Sequence, residues 1–85
     1  MRKIHALIVD DEANNRENLR LALEAHCPEV AIVGEADSAI TAMDQLKKIR
    51  PDLVFLDIAM PLGSGFDLLE GLDRIDFEII FVTAY

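Results

Sequence analysis

Ala6-Leu7-Ile8-Val9 runs directly into Asp10-Asp11-Glu12, and Leu53-Val54-Phe55-Leu56 runs directly into Asp57. A strand with one wet face alternates apolar and polar residues. These two runs do not alternate, so they read as strands buried on both faces, the situation of a parallel sheet covered by helices. In open sheets of that kind ligands gather in the crevice beyond the carboxyl ends of the strands, where these acids stand. Three carboxylates meeting in a partly desolvated cleft repel one another. A hard divalent cation resolves the conflict, and magnesium prefers carboxylate and carbonyl oxygens, keeps several waters and often shares its shell with a phosphoryl group. The stretch therefore predicts a Mg2+ and phosphoryl site.

Outward from these runs, strand-like and helix-like patterns alternate with short connections, the signature of repeated βα units. Ile4 to Val9 is the first strand, and a helix follows from about Asn14 to His26, with Leu19, Ala22, Leu23 and His26 on one face and Cys27-Pro28 at its end. Val30 to Glu35 is a second strand. Asp37 or Ser38 caps a second helix whose Ala39, Ala42, Met43, Leu46 and Ile49 recur every three to four residues until Pro51. Leu53 to Leu56 is the third strand, and the loop from Asp57 to Gly65 carries Met60-Pro61 and two glycines. A short helix from about Gly65 to Leu72 is expected to bury Phe66, Leu69 and Leu72. Glu78 to Thr83 is a fourth, apolar strand. The order β-α-β-α-β-α-β predicts a doubly wound α/β sheet in one domain spanning residues 1–85.

Composition narrows the function. With 52% hydrophobic and 28% charged residues in 85 positions the chain is globular rather than disordered. The formal net charge of −8 argues against direct nucleic-acid binding, which needs a positive face. No apolar run approaches the roughly 18 residues of a membrane span, so a cytoplasmic location is expected. Cys27 stands alone and builds neither a disulfide nor a cysteine metal site. His5 and His26 fall on different elements without a ligand cluster, and structural roles are expected of both.

Right-handed crossovers open all carboxyl strand ends on one side, so Asp10, Asp11, Asp57 and Thr83 should converge. Asp57, alone at its strand end, suits a nucleophile that accepts a phosphoryl group as an aspartyl phosphate. Asp11 is the direct metal carboxylate, and Asp10 binds through water or holds Asp11 in place. Thr83 offers a hydroxyl to a phosphoryl oxygen. Acids after strands also cap helices or sit in solvated turns. Against that stands the joint pattern: an Asp-Asp-Glu run after the first strand, a lone Asp after the third and Thr-Ala after the fourth.

Leu7-Ile8-Val9-Asp10-Asp11-Glu12, Pro51-Asp52-Leu53-Val54-Phe55-Leu56-Asp57-Ile58-Ala59-Met60-Pro61 and Val82-Thr83-Ala84 resemble the receiver domain of two-component response regulators along the entire chain. Phe77 to Tyr85 further resembles receivers that precede a LytTR-type DNA-binding domain. The resemblance implies a flavodoxin-like domain, not an enzyme in its own right, that takes a phosphoryl group from a sensor histidine kinase with Mg2+ and regulates transcription through its parent. It implies Asp57 as phosphoacceptor, Asp10 and Asp11 as the acidic pair, the backbone carbonyl of Ala59 in the metal shell, and Thr83 as the switch hydroxyl. Ser64 stands where many receivers carry an acid, outside that shell.

Complete receivers continue into a fourth helix, a fifth strand with a phosphate-pairing lysine and a fifth helix. Lys3, Lys47 and Lys48 do not occupy that lysine's place, so no phosphate lysine is assigned, and the reading is of a truncated receiver. An apolar fourth strand at a sheet edge would then invite a homodimer through Glu78 to Tyr85. Two other functions compete: a module used only for protein–protein interaction or dimerisation, and an aspartate-nucleophile hydrolase. The hydrolase needs a second acid two residues after the nucleophile, where this chain has Ala59.

Overall fold

The computed structural model describes residues 2–57, 65–72 and 75–82. Seven elements follow in order: β1 (Ile4–Val9), α1 (Ala13–His26), β2 (Val30–Ala36), α2 (Ala39–Ile49), β3 (Leu53–Asp57), α3 (Gly65–Glu70) and β4 (Glu78–Val82). All strand pairs are parallel and the sheet order is β2-β1-β3-β4, the first four places of the expected flavodoxin-like order.

The two non-alternating runs became the two central strands. Ala6, Leu7, Ile8 and Val9 are at most 1% exposed. Their side chains alternate between two cores, because successive residues of a strand point to opposite faces. Leu7, Val9, Val54 and Leu56 pack with Ala36, Ala42, Leu46 and Leu68. Ala6, Ile8 and Phe55 pack on the other face with Leu23, flanked by Leu19, Cys27 and Ile32. Each fully buried Leu or Ile contributes on the order of 1.5–3 kcal/mol.

The helices are set by local chemistry. Ser38 caps α2: its hydroxyl accepts from the Thr41 N–H, and Thr41 Oγ1 accepts from the Ser38 N–H in return. Arg50, with φ of 51°, closes α2 in the left-handed region just before Pro51. The expected face of α1 needs correction. Ala22 and His26 are exposed, and the packed row is Leu19, Leu23 and Cys27. A helix crossing one sheet buries a narrow stripe, and Ala22 and His26 lie one residue off it. Among the described side chains of α3 Leu68 is fully buried, while Leu69 and, just after the helix, Leu72 pack at the margin of the core. The side chain of Phe66 lies outside the described residues.

Strand β2 runs one residue further than expected, to Ala36, and carries an irregularity. Ala6 pairs with Ile32, but Leu7 pairs with Gly34, so Val33 is the extra residue of a bulge. Beyond the bulge, Glu35 lies opposite Ile8 and faces α1, whereas Gly34 and Ala36 face α2. Gly34 leaves little room there: a Cβ would come 2.8 Å from Ile49 Cδ1 and 3.1 Å from both Gln45 Oε1 and Leu7 Cδ1, so these side-chain tips would have to shift. Among the described residues β4 has one strand neighbour, β3, and its Ile80 is 46% exposed.

Candidate functional site

The register of the central strands makes the site. Val9 pairs with Leu56, so Asp10 and Asp57 leave the sheet side by side at its carboxyl end, with Asp11 next in the turn. One carboxylate oxygen from each of Asp10, Asp11 and Asp57 lies within 4.8 Å of the others. Asp10 is 5% and Asp57 7% exposed, and Asp11 is the more open of the three.

Asp10 is held through its main chain and its carboxylate. Its N–H donates to the Ala36 carbonyl at 3.0 Å, and its own carbonyl accepts from Arg16 Nη1 at 2.8 Å. Its Oδ1 accepts from the Glu12 N–H at 2.9 Å, and the Asn15 side chain also bonds its carboxylate. Burial raises the Asp10 carboxyl above its ordinary value. The Glu12 N–H pulls it back, the charge of Asp57 raises it again, Asn15 lowers it and Asp11 raises it. No cationic side chain is among these influences. The donor set is therefore oxygen only, anionic and self-repelling, which fits a hard divalent cation.

The chain's three lysines lie elsewhere: Lys3 donates to the Pro28 carbonyl, Lys48 pairs with Asp44, and Lys47 lines a hollow of about 360 Å³ near the starts of β3 and β4, away from the acids. Thr83, Ala59 and Ser64 lie outside the described residues, so of the predicted site the described structure unites Asp10, Asp11 and Asp57. Sequence reasoning missed Asn15, Arg16 and Glu35. A signal existed for Arg16: a cation in the opening turn of a helix opposes the dipole there, which points to a specific anionic or carbonyl partner.

A family model for the response regulator receiver domain matches residues 6–85. The chain belongs to the response regulator receiver family. Its relatives include the sensory transduction protein LytT of Enterococcus faecalis, 45% identical over 84 residues, and the transcriptional regulatory protein BtsR of Salmonella typhi, 45% identical over 83 residues. Each alignment covers 96% of this chain and 34% of the relative, so the receiver spans about a third of the length of the curated relatives it matches. The similarity to LytT agrees with the LytTR-type affiliation read from residues 77–85. In structure the receiver resembles the response regulator domain of Thermotoga maritima CheB, with a TM-score of 0.86 and 29% identity over 96% of this chain and 61% of that one. It also resembles the signal receiver domain of Mycobacterium tuberculosis NarL, with a TM-score of 0.87 and 26% identity over 100% of this chain and 69% of that one. Receivers are signalling domains of two-component systems and interact with histidine kinases. Among the described residues no helix is long and apolar enough to cross a membrane.

Proposed function

We propose that residues 1–85 act as one receiver unit in which Asp57 accepts a phosphoryl group from a sensor histidine kinase, in the cytoplasm, and that a longer regulator converts this event into control of transcription. The observation that carries the reading is the meeting of three carboxylates, two of them buried, at the ends of adjacent parallel strands. Such a cluster costs stability unless something positive is shared among its members.

In the transfer, an Asp57 carboxylate oxygen attacks phosphorus, the bond from phosphorus to the kinase's histidine nitrogen breaks, and the electron pair returns to that nitrogen. Asp57 is thereby the group that carries the phosphoryl. Asp10, Asp11, Asp57 and the Ala59 carbonyl would hold Mg2+, which when bound supplies neutralising charge to the carboxylates and the phosphoryl oxygens. The Glu12 N–H and Asn15 keep Asp10 in one orientation. Thr83 donates its hydroxyl to a phosphoryl oxygen. The chemistry stops at self-phosphorylation, and the net charge of −8 leaves DNA contact to other parts of the regulator.

Incubation with acetyl phosphate and Mg2+ followed by intact-mass and peptide mass spectrometry tests this. A single phosphoryl adduct on Asp57, lost on Asp57→Asn and on removal of the cation, is expected. An adduct elsewhere, or one formed equally well in EDTA, overturns the assignment. The interaction-module reading is favoured by one observation, the exposed Ile80 on β4. On that reading the Glu78–Tyr85 edge pairs two copies into a homodimer whether or not Asp57 is phosphorylated.

A further inference from the structure

Arg16 spans two elements with one planar group. Nη1 donates to the Asp10 carbonyl at 2.8 Å, and Nε donates to Glu35 Oε1 at 3.2 Å. We infer that Arg16 is a positioning residue: it ties the acidic turn after β1 to Glu35 on β2 and so fixes where the Asp10 and Asp11 carboxylates point. The inference rests on the reading of Asp10, Asp11 and Asp57 as a divalent-cation site.

The grip is on the main chain. The Asp10 N–H is bound to Ala36 and the Asp10 carbonyl to Arg16, which is anchored on the neighbouring Glu35, so both ends of this residue are referred to the end of β2. Any shift of the backbone at Asp10 and Asp11 that moves their carboxylates relative to Asp57 carries the Asp10 carbonyl with it and has to break the Arg16 bond first. The bulge at Val33 makes the anchor available, because without the extra residue the alternation of β2 would turn Glu35 to the α2 face. Arg20 supplies an internal contrast. Its Nε approaches Glu35 Oε2 to 3.5 Å but makes no hydrogen bond, and its other contacts are Glu17 and Glu24 on its own helix. Both arginines thus belong to one ion cluster, and only Arg16 reaches the site. A lysine at position 16 keeps the charge but is a point donor without the rigid fork, so it cannot reproduce both bonds.

Isothermal titration of Mg2+ into the chain and its variants, with folding checked by circular dichroism, tests the claim. Arg16→Lys and Glu35→Ala should each weaken binding by about tenfold, the range seen when groups that orient metal ligands are removed. The double variant should be no weaker than Arg16→Lys alone, since both act along one path. Glu35→Gln, which keeps an acceptor for Nε, should restore most of the affinity lost in Glu35→Ala. Arg20→Gln should bind within about twofold of the parent. In EDTA, hydrogen exchange at the Glu12 amide, which donates to Asp10 Oδ1, should quicken in Arg16→Lys and stay unchanged in Arg20→Gln. Parent-like Mg2+ affinity in Arg16→Lys, or an equal loss in Arg20→Gln, overturns the positioning role while leaving the cation site intact. A parent that takes up no Mg2+ refutes the cation site instead, and the Glu12 exchange rates then decide whether Arg16 orders the turn.

Discussion

Replacing Asp10 by Asn should make the metal-free chain more stable and at the same time impair cation binding. The Asp10 carboxylate has an oxygen within 4.8 Å of one on Asp57 and one on Asp11. At an effective dielectric near 20, two unit charges at that separation repel by about 3.5 kcal/mol. The Asp11 share is smaller because that side chain is open to water and salt. Asn keeps an oxygen for the Glu12 N–H, but that bond and the one from Asn15 both lose their charge assistance, an offsetting loss of about 1 kcal/mol each. The net expectation in EDTA at neutral pH is about 1–2 kcal/mol of added stability, each kcal/mol raising the melting temperature of a domain this size by about 4–8 °C. The pH dependence has a definite sign. Asp10 is raised in the fold above its ordinary 3.8, so the folded state holds that proton more tightly than the unfolded chain. Its stabilising share is fully present below 3.8 and is lost as pH rises through the folded value, so the advantage of Asn should vanish in acid and plateau above that transition. Saturating Mg2+ should reverse the order, because the parent gains more binding free energy than the variant. Thermal melts across pH, with EDTA and with Mg2+, read all of this. If Asp10→Asn melts below the parent in EDTA at neutral pH, mutual carboxylate repulsion is not the dominant force in the site.

Other substitutions report on the scaffold. Ser38→Ala removes the reciprocal cap of α2 and should cost about 1 kcal/mol, read as a lower denaturant midpoint with an unchanged slope. Gly34→Val meets Ile49, Gln45 and Leu7 at once and should cost about 1–3 kcal/mol, whereas Gly34→Ala should cost less because the closest atom is the tip of a flexible side chain. Ile80→Lys places a charge on the exposed apolar position of β4 and should shift a self-associated 85-residue polypeptide toward monomer in size exclusion with light scattering; a parent that is already a folded monomer at tens of micromolar would refute edge pairing.

The fold was legible because two short runs carry an unusual pattern. Ala6 to Val9 and Leu53 to Leu56 could be continuously apolar only if both their faces were covered, and that places them in the middle of the sheet. The acids that end them were legible for the same reason, since register along β1 and β3 follows from the strands. What the sequence hid lies where a side chain's direction depends on one residue of slip. Glu35 reads as an ordinary polar residue of β2, and nothing in Val30-Ala31-Ile32-Val33-Gly34 announces that Val33 is looped out. Ala22 and His26 fit an apolar face by spacing, yet the sheet covers only the neighbouring row. Arg16 and Asn15 lie on the opening turn of α1 and acquire meaning only when the Asp10 carbonyl and carboxylate are seen above them.

The same structural fact gives the site its cost and its use. Asp10 is buried because β1 must be buried, and burial with two neighbouring charges is what raises its carboxyl. Main-chain and amide donors resist that rise: the Glu12 N–H and Asn15 favour the ionised form, and the Arg16 bond to the carbonyl keeps the turn from opening to relieve repulsion. A cluster so held cannot lower its energy by moving apart. Relief has to come from a proton, as acid supplies to Asp10, or from a cation. A phosphoryl group on Asp57 would exchange a carboxylate for a dianionic acceptor without removing the crowding, which strengthens the demand for positive charge at the very moment the receiver is switched. A site preorganised in this way would couple cation binding to the phosphorylation state through electrostatics alone, so affinity for Mg2+ should rise on phosphorylation in the parent and rise less in Arg16→Lys, where the turn is free to yield.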